Sequence, residues 1–509
     1  IVAMAPFSVL HATVFCALIL VSLYFDRYSL FNVLSLALYY PIIQLANYPF
    51  LTFRDVYLHG APARTIISTG NLEYARDPVP EYWPSSFVLN ALVAIVLGCD
   101  VVEANYLLYI GLLTTLALAI PSLAKTFRNR GYVLSWACPP LLLALFSSPE
   151  FQIHHYARFA LSLVFVFLFL LAFVRSNDRR ASIIQLFFIV SLITTHPFNS
   201  LYAVMFLFAY VVLGLLIRRE VTFKAVDAAL FSAILFFAWW LFRAWSNFEE
   251  AIPFFFTNIF SSDYFEPLKQ APFVSDPLPL WGIALRSYYK YSLLALTAIG
   301  LLSSGLILFA NRRKRGNVPS EIVSFMSVLA VSTLFIAIML GMPAWSLYRA
   351  AGFVAIAAGF SSIICVNYLA IIKGKGAFLL SKRTVKILML VLIVSLSLTG
   401  MILRFERNSY FGELQHPSEL SSLSFLFANV GCQQTVAASW KTIIYCNYFD
   451  YASKHKLLMY IDIWNVKGDN QTESFRYLET TINGSSLLIR GIRDTCILYN
   501  DPFLRQTSQ

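Results

Sequence analysis

Charged residues are scarce in this chain: they make up 13% of its 509 residues, about half the share found in soluble domains. Hydrophobic residues make up 58%, and the mean hydropathy is +0.68. This composition excludes a soluble globular protein and predicts a polytopic membrane protein. The net charge of +11 does not indicate nucleic-acid binding, because the basic residues lie in short loops between hydrophobic runs.

The seven cysteines form no recognisable metal-binding motif: the sequence has no Cys-x-x-Cys and no Cys/His spacing typical of a metal site. Four of them fall in or near apolar segments and are expected to serve packing: Cys16, Cys99, Cys138 and Cys365. The other three lie near the C-terminus, where Cys432 and Cys446 can pair in an oxidising exterior. The pairing among Cys432, Cys446 and Cys496 stays open.

Basic residues are missing from three short loops that alternate with basic ones. The loops around 147–157, 196–200 and 343–348 contain no lysine or arginine, whereas the five alternate loops hold 18 of the 38 basic residues. The positive-inside rule then predicts that the basic loops are cytosolic and the others external.

Hydrophobic runs of roughly 17–22 residues predict about twelve transmembrane helices. The predicted spans lie near residues 5–25, 28–48, 103–124, 131–148, 158–175, 181–196, 200–218, 224–244, 290–310, 321–342, 350–371 and 384–403. The fold class predicted is therefore mainly α, with residues 1–404 forming a transmembrane module.

Two long external loops interrupt this module. The first covers residues 50–102 and contains an apolar run from Ser85 to Gly98, which is too short for a comfortable span and predicts a helix at the outer interface. The alternative is a tilted span, which would break the alternation of charge by placing Lys125 to Arg130 outside. The second loop covers 245–289, and a loop of this length is usually functional or disordered.

Residues 405–509 are polar and mixed in pattern. Helical spacing at 418–430 and β-rich runs at 434–445, 456–464 and 486–499 predict a small α/β domain. Asn470 and Asn483 each begin a glycosylation sequon, which agrees with an extracytosolic position.

Ionisable side chains gather on the predicted external face, near helix ends, where such groups are candidates for a functional site. The first external loop carries Asp55 and His59, four residues apart, which share a face if the segment is helical. The other candidates are Glu150, His154, His155, Arg158 and Arg349. His196, followed by Pro197 at the end of a span, is expected to be structural.

The order of these features resembles the GT-C glycosyltransferases, a polytopic class that uses polyprenyl-phosphate-linked sugars. Asp55 lies early in the first large external loop, a short helix begins at Pro84-Ser85-Ser86, Glu150 lies in the next external loop, and Arg349 opens a late span. The layout is similar to oligosaccharyltransferases and to archaeal members with unassigned substrates. One departure concerns peptide recognition: Trp239-Trp240 is followed by leucine, so the Trp-Trp-Asp motif is missing.

The resemblance implies transfer of a sugar from a polyprenyl (dolichyl) phosphate donor in the bilayer to a glycan or protein acceptor at the external face. Such a transfer needs a base for the acceptor proton and positive charge for the departing phosphate. We assign Asp55 as the base, with Arg349, or else Arg158, on the phosphate. Glu150 would hold the acceptor or, together with Asp55, a divalent cation such as Mg²⁺ or Mn²⁺, and His59, His154 and His155 would bind substrate.

Each assignment has a plainer alternative. Asp55 also fits a helix cap or a salt bridge to Arg54 or Arg64, Glu150 a solvated loop acid, and Arg349 an anchor at the lipid headgroups. Two other functions therefore remain open at this point: a non-catalytic GT-C-like scaffold, and a transporter or flippase of lipid-linked glycans.

Overall fold

The computed structural model describes residues 54–72, 82–128, 157–175, 179–219, 223–245 and 320–340, four strands near the C-terminus, and scattered single positions. Eight helices lie in these ranges: α1 (Arg54–Thr69), α2 (Ser85–Leu97), α3 (Val101–Arg128), α4 (Arg158–Arg175), α5 (Arg179–Ile193), α6 (Pro197–Arg218), α7 (Phe223–Phe242) and α8 (Ser320–Leu340). The described part of the chain is therefore mainly helical.

Six of the predicted spans coincide with helices α3 to α8. By length and composition, α6 and α7 can each cross a membrane, and α2 with the first part of α3 forms a bent pair at 108° that passes the same test jointly. The number of twelve spans stays a prediction, because the remaining ones, like the loop 245–289, fall almost wholly outside the described residues.

The chain divides into two compact units. The first comprises residues 1–43, 81–86 and 109–410, and the second comprises 44–80, 87–108 and 411–509. In the first unit, α6 is central and packs against α4, α5, α7 and α8. Its core includes the large, fully buried side chains Phe167, Phe169, Tyr202, Phe206 and Phe335.

In the second unit, α1 packs against α2 and the start of α3 through small side chains. Ala63 of α1, Ala91 and Ala94 of α2 and Ala104 of α3 are all at most 2% exposed and form one cluster. Alanine brings helix backbones close together without the side-chain entropy cost of larger residues. The three helices are therefore tightly packed around one small cluster.

The end of α2 follows from its glycine. Gly98 adopts φ +62°, a left-handed conformation that is strained for residues with a Cβ. Its N–H donates to the carbonyl of Ile95 at 3.3 Å, and the N–H of Cys99 donates to that of Ala94 at 3.1 Å. This is a Schellman motif, which satisfies the last carbonyls of the helix and turns the chain away from its axis.

The start of α3 is encoded in Asp100-Val101-Val102-Glu103. The Asp100 carboxylate accepts the N–H of Val102 at 2.8 Å, and the Glu103 carboxylate accepts the N–H of Asp100 at 3.2 Å. This reciprocal capping box initiates a helix directly after the Schellman turn. The two motifs together account for the sharp bend between α2 and α3.

The C-terminal strands are β1 (Thr435–Ser439), β2 (Lys456–Tyr460), β3 (Leu487–Ile492) and β4 (Thr495–Asn500), and they form one sheet in the order β2-β1-β3-β4. β1 is parallel to both β2 and β3, whereas β3 and β4 are antiparallel. Parallel pairing is common in α/β domains. Both the α/β class of residues 405–509 and their extracytosolic position stay predictions.

Candidate functional site

Asp55 lies in the first turn of α1, so that the chain positions 55 and 59 are one helical turn apart. The Asp55 side chain is not part of the described structure. The ring of His59 is half-buried, and its centroid lies 6.2 Å from that of Phe87 on α2. Asp55 and His59, the first two candidate residues, therefore both lie on α1. His59 is the one that contacts α2.

Tyr57, between these two positions, is 5% exposed. Burial raises the pKa of its phenol to about 12, and the negative charge of Asp100 adds to this effect. A phenol with this pKa stays protonated at neutral pH, so that Tyr57 offers a neutral hydroxyl rather than a base.

The segment before α2 is fixed to the helical bundle by its own set of contacts. The indole N–H of Trp239 on α7 donates to the carbonyl of Tyr82 at 2.8 Å, and the rings of Trp83 and Trp240 meet edge to face at 6.1 Å. In the sequence, Trp239 and Trp240 of α7 stand out only because no aspartate follows them. Their role is long-range packing, which no local pattern indicates.

Arg158 is the first residue of α4 and is partly exposed, between the buried Ala157 and Phe159. His196 precedes α6 as its N-cap and is 3% exposed. Its ring packs against Phe159 at 5.5 Å and Phe198 at 5.9 Å. These contacts give His196 a packing role at the junction of α5 and α6.

The remaining candidates, Glu150, His154, His155 and Arg349, lie outside the described residues, so that their convergence with Asp55 stays a prediction. Within the described ranges, no group of three or more His, Cys, Asp or Glu side chains could hold a metal ion. Since the side chains of Asp55 and Glu150 are both outside that part, a divalent cation between them is an expectation from the sequence.

The chain shares its fold with a membrane glycosyltransferase of known structure, and two of its described helices are long and apolar enough to cross a membrane. Among solved structures, it is similar to the archaeal oligosaccharyltransferase AglB from Archaeoglobus fulgidus, in complex with an inhibitory peptide and a dolichol-phosphate. The TM-score is 0.51 at 14% identity, over 92% of this chain and 70% of that chain.

ArnT from Cupriavidus metallidurans, bound to undecaprenyl phosphate, matches 90% of this chain and 92% of its own with a TM-score of 0.47 at 11% identity. ArnT in the apo state matches with a TM-score of 0.36 at 11% identity, over 90% of each chain. No protein-family profile matches this chain, and no curated protein matches it in sequence.

Proposed function

We propose that the protein is a membrane glycosyltransferase that transfers a sugar from a polyprenyl-phosphate-linked donor to an acceptor at the external face. The observation that carries the proposal is the fold shared with AglB over 92% of the chain, in a structure that contains a dolichol-phosphate. The position of Asp55 at the start of a helix in the first long loop supports it.

In the proposed reaction, the Asp55 carboxylate takes the proton of the acceptor hydroxyl while that oxygen attacks the anomeric carbon of the sugar. The bond from this carbon to the phosphate oxygen breaks, and the polyprenyl phosphate leaves as an anion. A single displacement needs one basic carboxylate and no covalent intermediate, so it inverts the anomeric configuration. An arginine, Arg349 or else Arg158, pairs with the anion through two parallel N–H donors.

Glu150 is proposed to orient the acceptor, with His59, His154 and His155 as further substrate contacts. Carboxylates are also the usual ligands of Mg²⁺. If Asp55 and Glu150 share a cation, chelation with EDTA abolishes transfer and added Mg²⁺ or Mn²⁺ restores it. Unchanged transfer in EDTA would exclude the cation and leave the assignment of Asp55 as the base in place.

The test is release of dolichyl phosphate from radiolabelled dolichyl-phosphate-linked hexoses by the purified protein in liposomes, with simple glycosides and sequon peptides as acceptors. Asp55→Asn keeps the size of the side chain but removes its basicity. Because a positioned base contributes about 100-fold or more, we expect the rate to fall by at least that factor. Equal rates in the variant and the parent would reject Asp55 as the base.

The matched control is Asp227→Asn, an exposed position in α7 beside a loop predicted to be cytosolic. The chemical change is the same, but the position lies far along the chain from the proposed external site. We expect full transfer activity. A loss in both variants would indicate a general effect of removing negative charge.

A flippase of lipid-linked glycans is the second candidate. The observation that favours it is the bent pair of α2 and α3, because broken helices are typical of transporters. In the same liposomes, a flippase moves dolichyl-phosphate-linked hexose between leaflets without releasing dolichyl phosphate. Movement without release would replace the transferase by this second function.

A further inference from the structure

Asn90, in the middle of α2, is 1% exposed. Neither its Oδ1 nor its Nδ2 has a hydrogen-bond partner in the described structure. An asparagine amide carries two N–H donors and an acceptor oxygen, and burying these groups unpaired lowers the stability of the fold. A buried amide in this state calls for an explanation other than stability.

Packing does not supply that reason. Asn90 shares the buried face of α2 with Phe87, Ala91 and Ala94, at the spacing of successive helical turns. Ser86, one turn before Asn90, is also buried, but Asn90 is the only amide among these five positions. A leucine of similar length would fill the same space without leaving an amide unpaired.

Asn199 is a buried asparagine whose side chain has a structural role and can be compared with Asn90. It is 0% exposed at the start of α6, and its Nδ2 donates to the hydroxyl of Ser162 and to the carbonyl of Phe159 on α4. This amide joins two helices, whereas the amide of Asn90 joins nothing within the part of the chain that the structure describes.

The position of Asn90 relates it to the proposed site. Phe87, about one turn earlier on α2, contacts His59 on α1, and His59 follows Asp55 by one turn of that helix. All four positions belong to the same compact unit. The unpaired amide and the proposed base are thus carried by two helices, α2 and α1, that pack against each other in one unit.

We propose that Asn90 is a sugar-recognition residue, whose amide exchanges hydrogen bonds with a hydroxyl of the lipid-linked sugar. This inference rests on the proposed function. An amide both donates and accepts, as a sugar hydroxyl does, whereas a phosphate oxygen only accepts and pairs better with arginine. Because Asn90 is 1% exposed, the contact requires a local opening of the packing around this side chain.

The experiment compares two lipids on the full-length protein in nanodiscs: dolichyl phosphate alone, and dolichyl phosphate linked to glucose, mannose or N-acetylglucosamine. For Asn90→Leu and Asn90→Ala, we expect about tenfold weaker binding of the sugar-linked lipid that the parent binds best, as for the loss of one neutral hydrogen bond. Binding of bare dolichyl phosphate should be unchanged. Equal losses for both lipids, or no loss for either, would overturn the inference.

Thermal unfolding separates this role from a structural one. We expect Asn90→Leu to unfold at or above the temperature of the parent, because the variant no longer buries an unpaired amide. Asn199→Leu is the matched control: it removes an amide whose Nδ2 donates to two partners on α4, so that its unfolding temperature falls while its preference between the two lipids stays that of the parent. A lower unfolding temperature in Asn90→Leu would contradict the inference.

Failure of the inference can be distinguished from failure of the proposed function. If the parent gains no affinity from any of the three sugars and releases no dolichyl phosphate, the inference and the proposed function are both rejected. If the parent binds and transfers a sugar and Asn90→Leu does so equally well, only the role of Asn90 falls.

Discussion

Ser85 and Thr194 are joined by two hydrogen bonds, although 109 residues separate them in the chain. The Ser85 hydroxyl donates to Thr194 Oγ1 at 2.6 Å, and the Ser85 N–H donates to the Thr194 carbonyl at 3.3 Å. The first residue of α2 is thereby fixed to the turn between α5 and α6. Together with the bond from Trp239 to Tyr82, this pair holds the segment that leads into α2.

We predict that Ser85→Ala and Thr194→Val each lower the free energy of unfolding by about 1 kcal/mol, as for one neutral hydrogen bond. The double variant should lose much less than the sum of the two single losses, because both remove the same side-chain contact. The measurement is chemical denaturation of the four proteins in detergent micelles. Strictly additive losses would show that the two hydroxyls do not interact in solution.

The start of α2 shows what the sequence can encode locally. An apolar run from Ser85 to Gly98 predicts a short helix, and the structure has a helix from Ser85 to Leu97, because a run of this kind ends where glycine permits a left-handed turn. The partner of Ser85 could not be predicted in this way. Which of the many hydroxyls in the chain lies beside it depends on the packing of whole helices.

Substitution by alanine should have opposite effects on stability at two glycines, one at the end of α2 and one within α3. Gly98 has φ +62° and Gly111, within α3, does not have a positive φ, yet an added Cβ meets no atom within 4 Å at either position. Gly98→Ala should therefore cost about 1 kcal/mol from backbone strain alone. Gly111→Ala should instead stabilise the protein by about 0.5–1 kcal/mol, because alanine is the better helix former.

Chemical denaturation of both variants measures this difference. Gly98→Asn is a useful third variant, because asparagine tolerates the left-handed conformation and should lose less than alanine does. A destabilisation by Gly111→Ala as large as that by Gly98→Ala would mean that crowding, rather than φ, decides the outcome.

Tyr57 predicts a specific loss of stability at alkaline pH. Its pKa is raised from 10.0 to about 12, first by burial and then by the charge of Asp100. Below pH 10.0 the phenol is protonated in both states and its contribution is fully present. Between 10.0 and about 12 the unfolded chain loses this proton first, so the free energy of unfolding falls as the pH rises through this window.

The measurement compares Tyr57→Phe with the parent at several pH values from about 8 to 11. Phenylalanine has no proton to lose. Above pH 10.0 the free energy of unfolding of the variant should therefore increase relative to that of the parent. At about pH 8 the difference between the two should be constant. A difference that does not change across the whole range would contradict the raised pKa.

The candidate site was only partly accessible from the sequence. The spacing of Asp55 and His59 indicates one helical face, and both positions lie on α1. Asn90 gave no such signal, because an asparagine in a short apolar run is expected either to face solvent or to form a cap. Only its burial, which follows from how α1, α2 and α3 pack, makes it a candidate.

A hydroxyl pair within the bundle gives a final prediction. The hydroxyls of Tyr202 on α6 and Ser332 on α8 lie 3.2 Å apart and are both buried. Tyr202→Phe keeps the ring, which packs edge to face on Phe335 at 5.9 Å, and removes only the hydroxyl. A double-mutant cycle with Ser332→Ala should give a coupling of about 0.6 kcal/mol, the mean for such pairs in membrane proteins.

The control for this cycle is Ser327→Ala, which removes a buried hydroxyl from the same helix. Ser327 donates to the carbonyl of Val323 within α8 at 2.7 Å, so that its contribution is local. Ser327→Ala and Tyr202→Phe should therefore have additive effects on the free energy of unfolding, since the two hydroxyls share no hydrogen bond. Equal coupling in both cycles would indicate a general loosening of α8 against α6 and would reject the Tyr202–Ser332 bond as its cause.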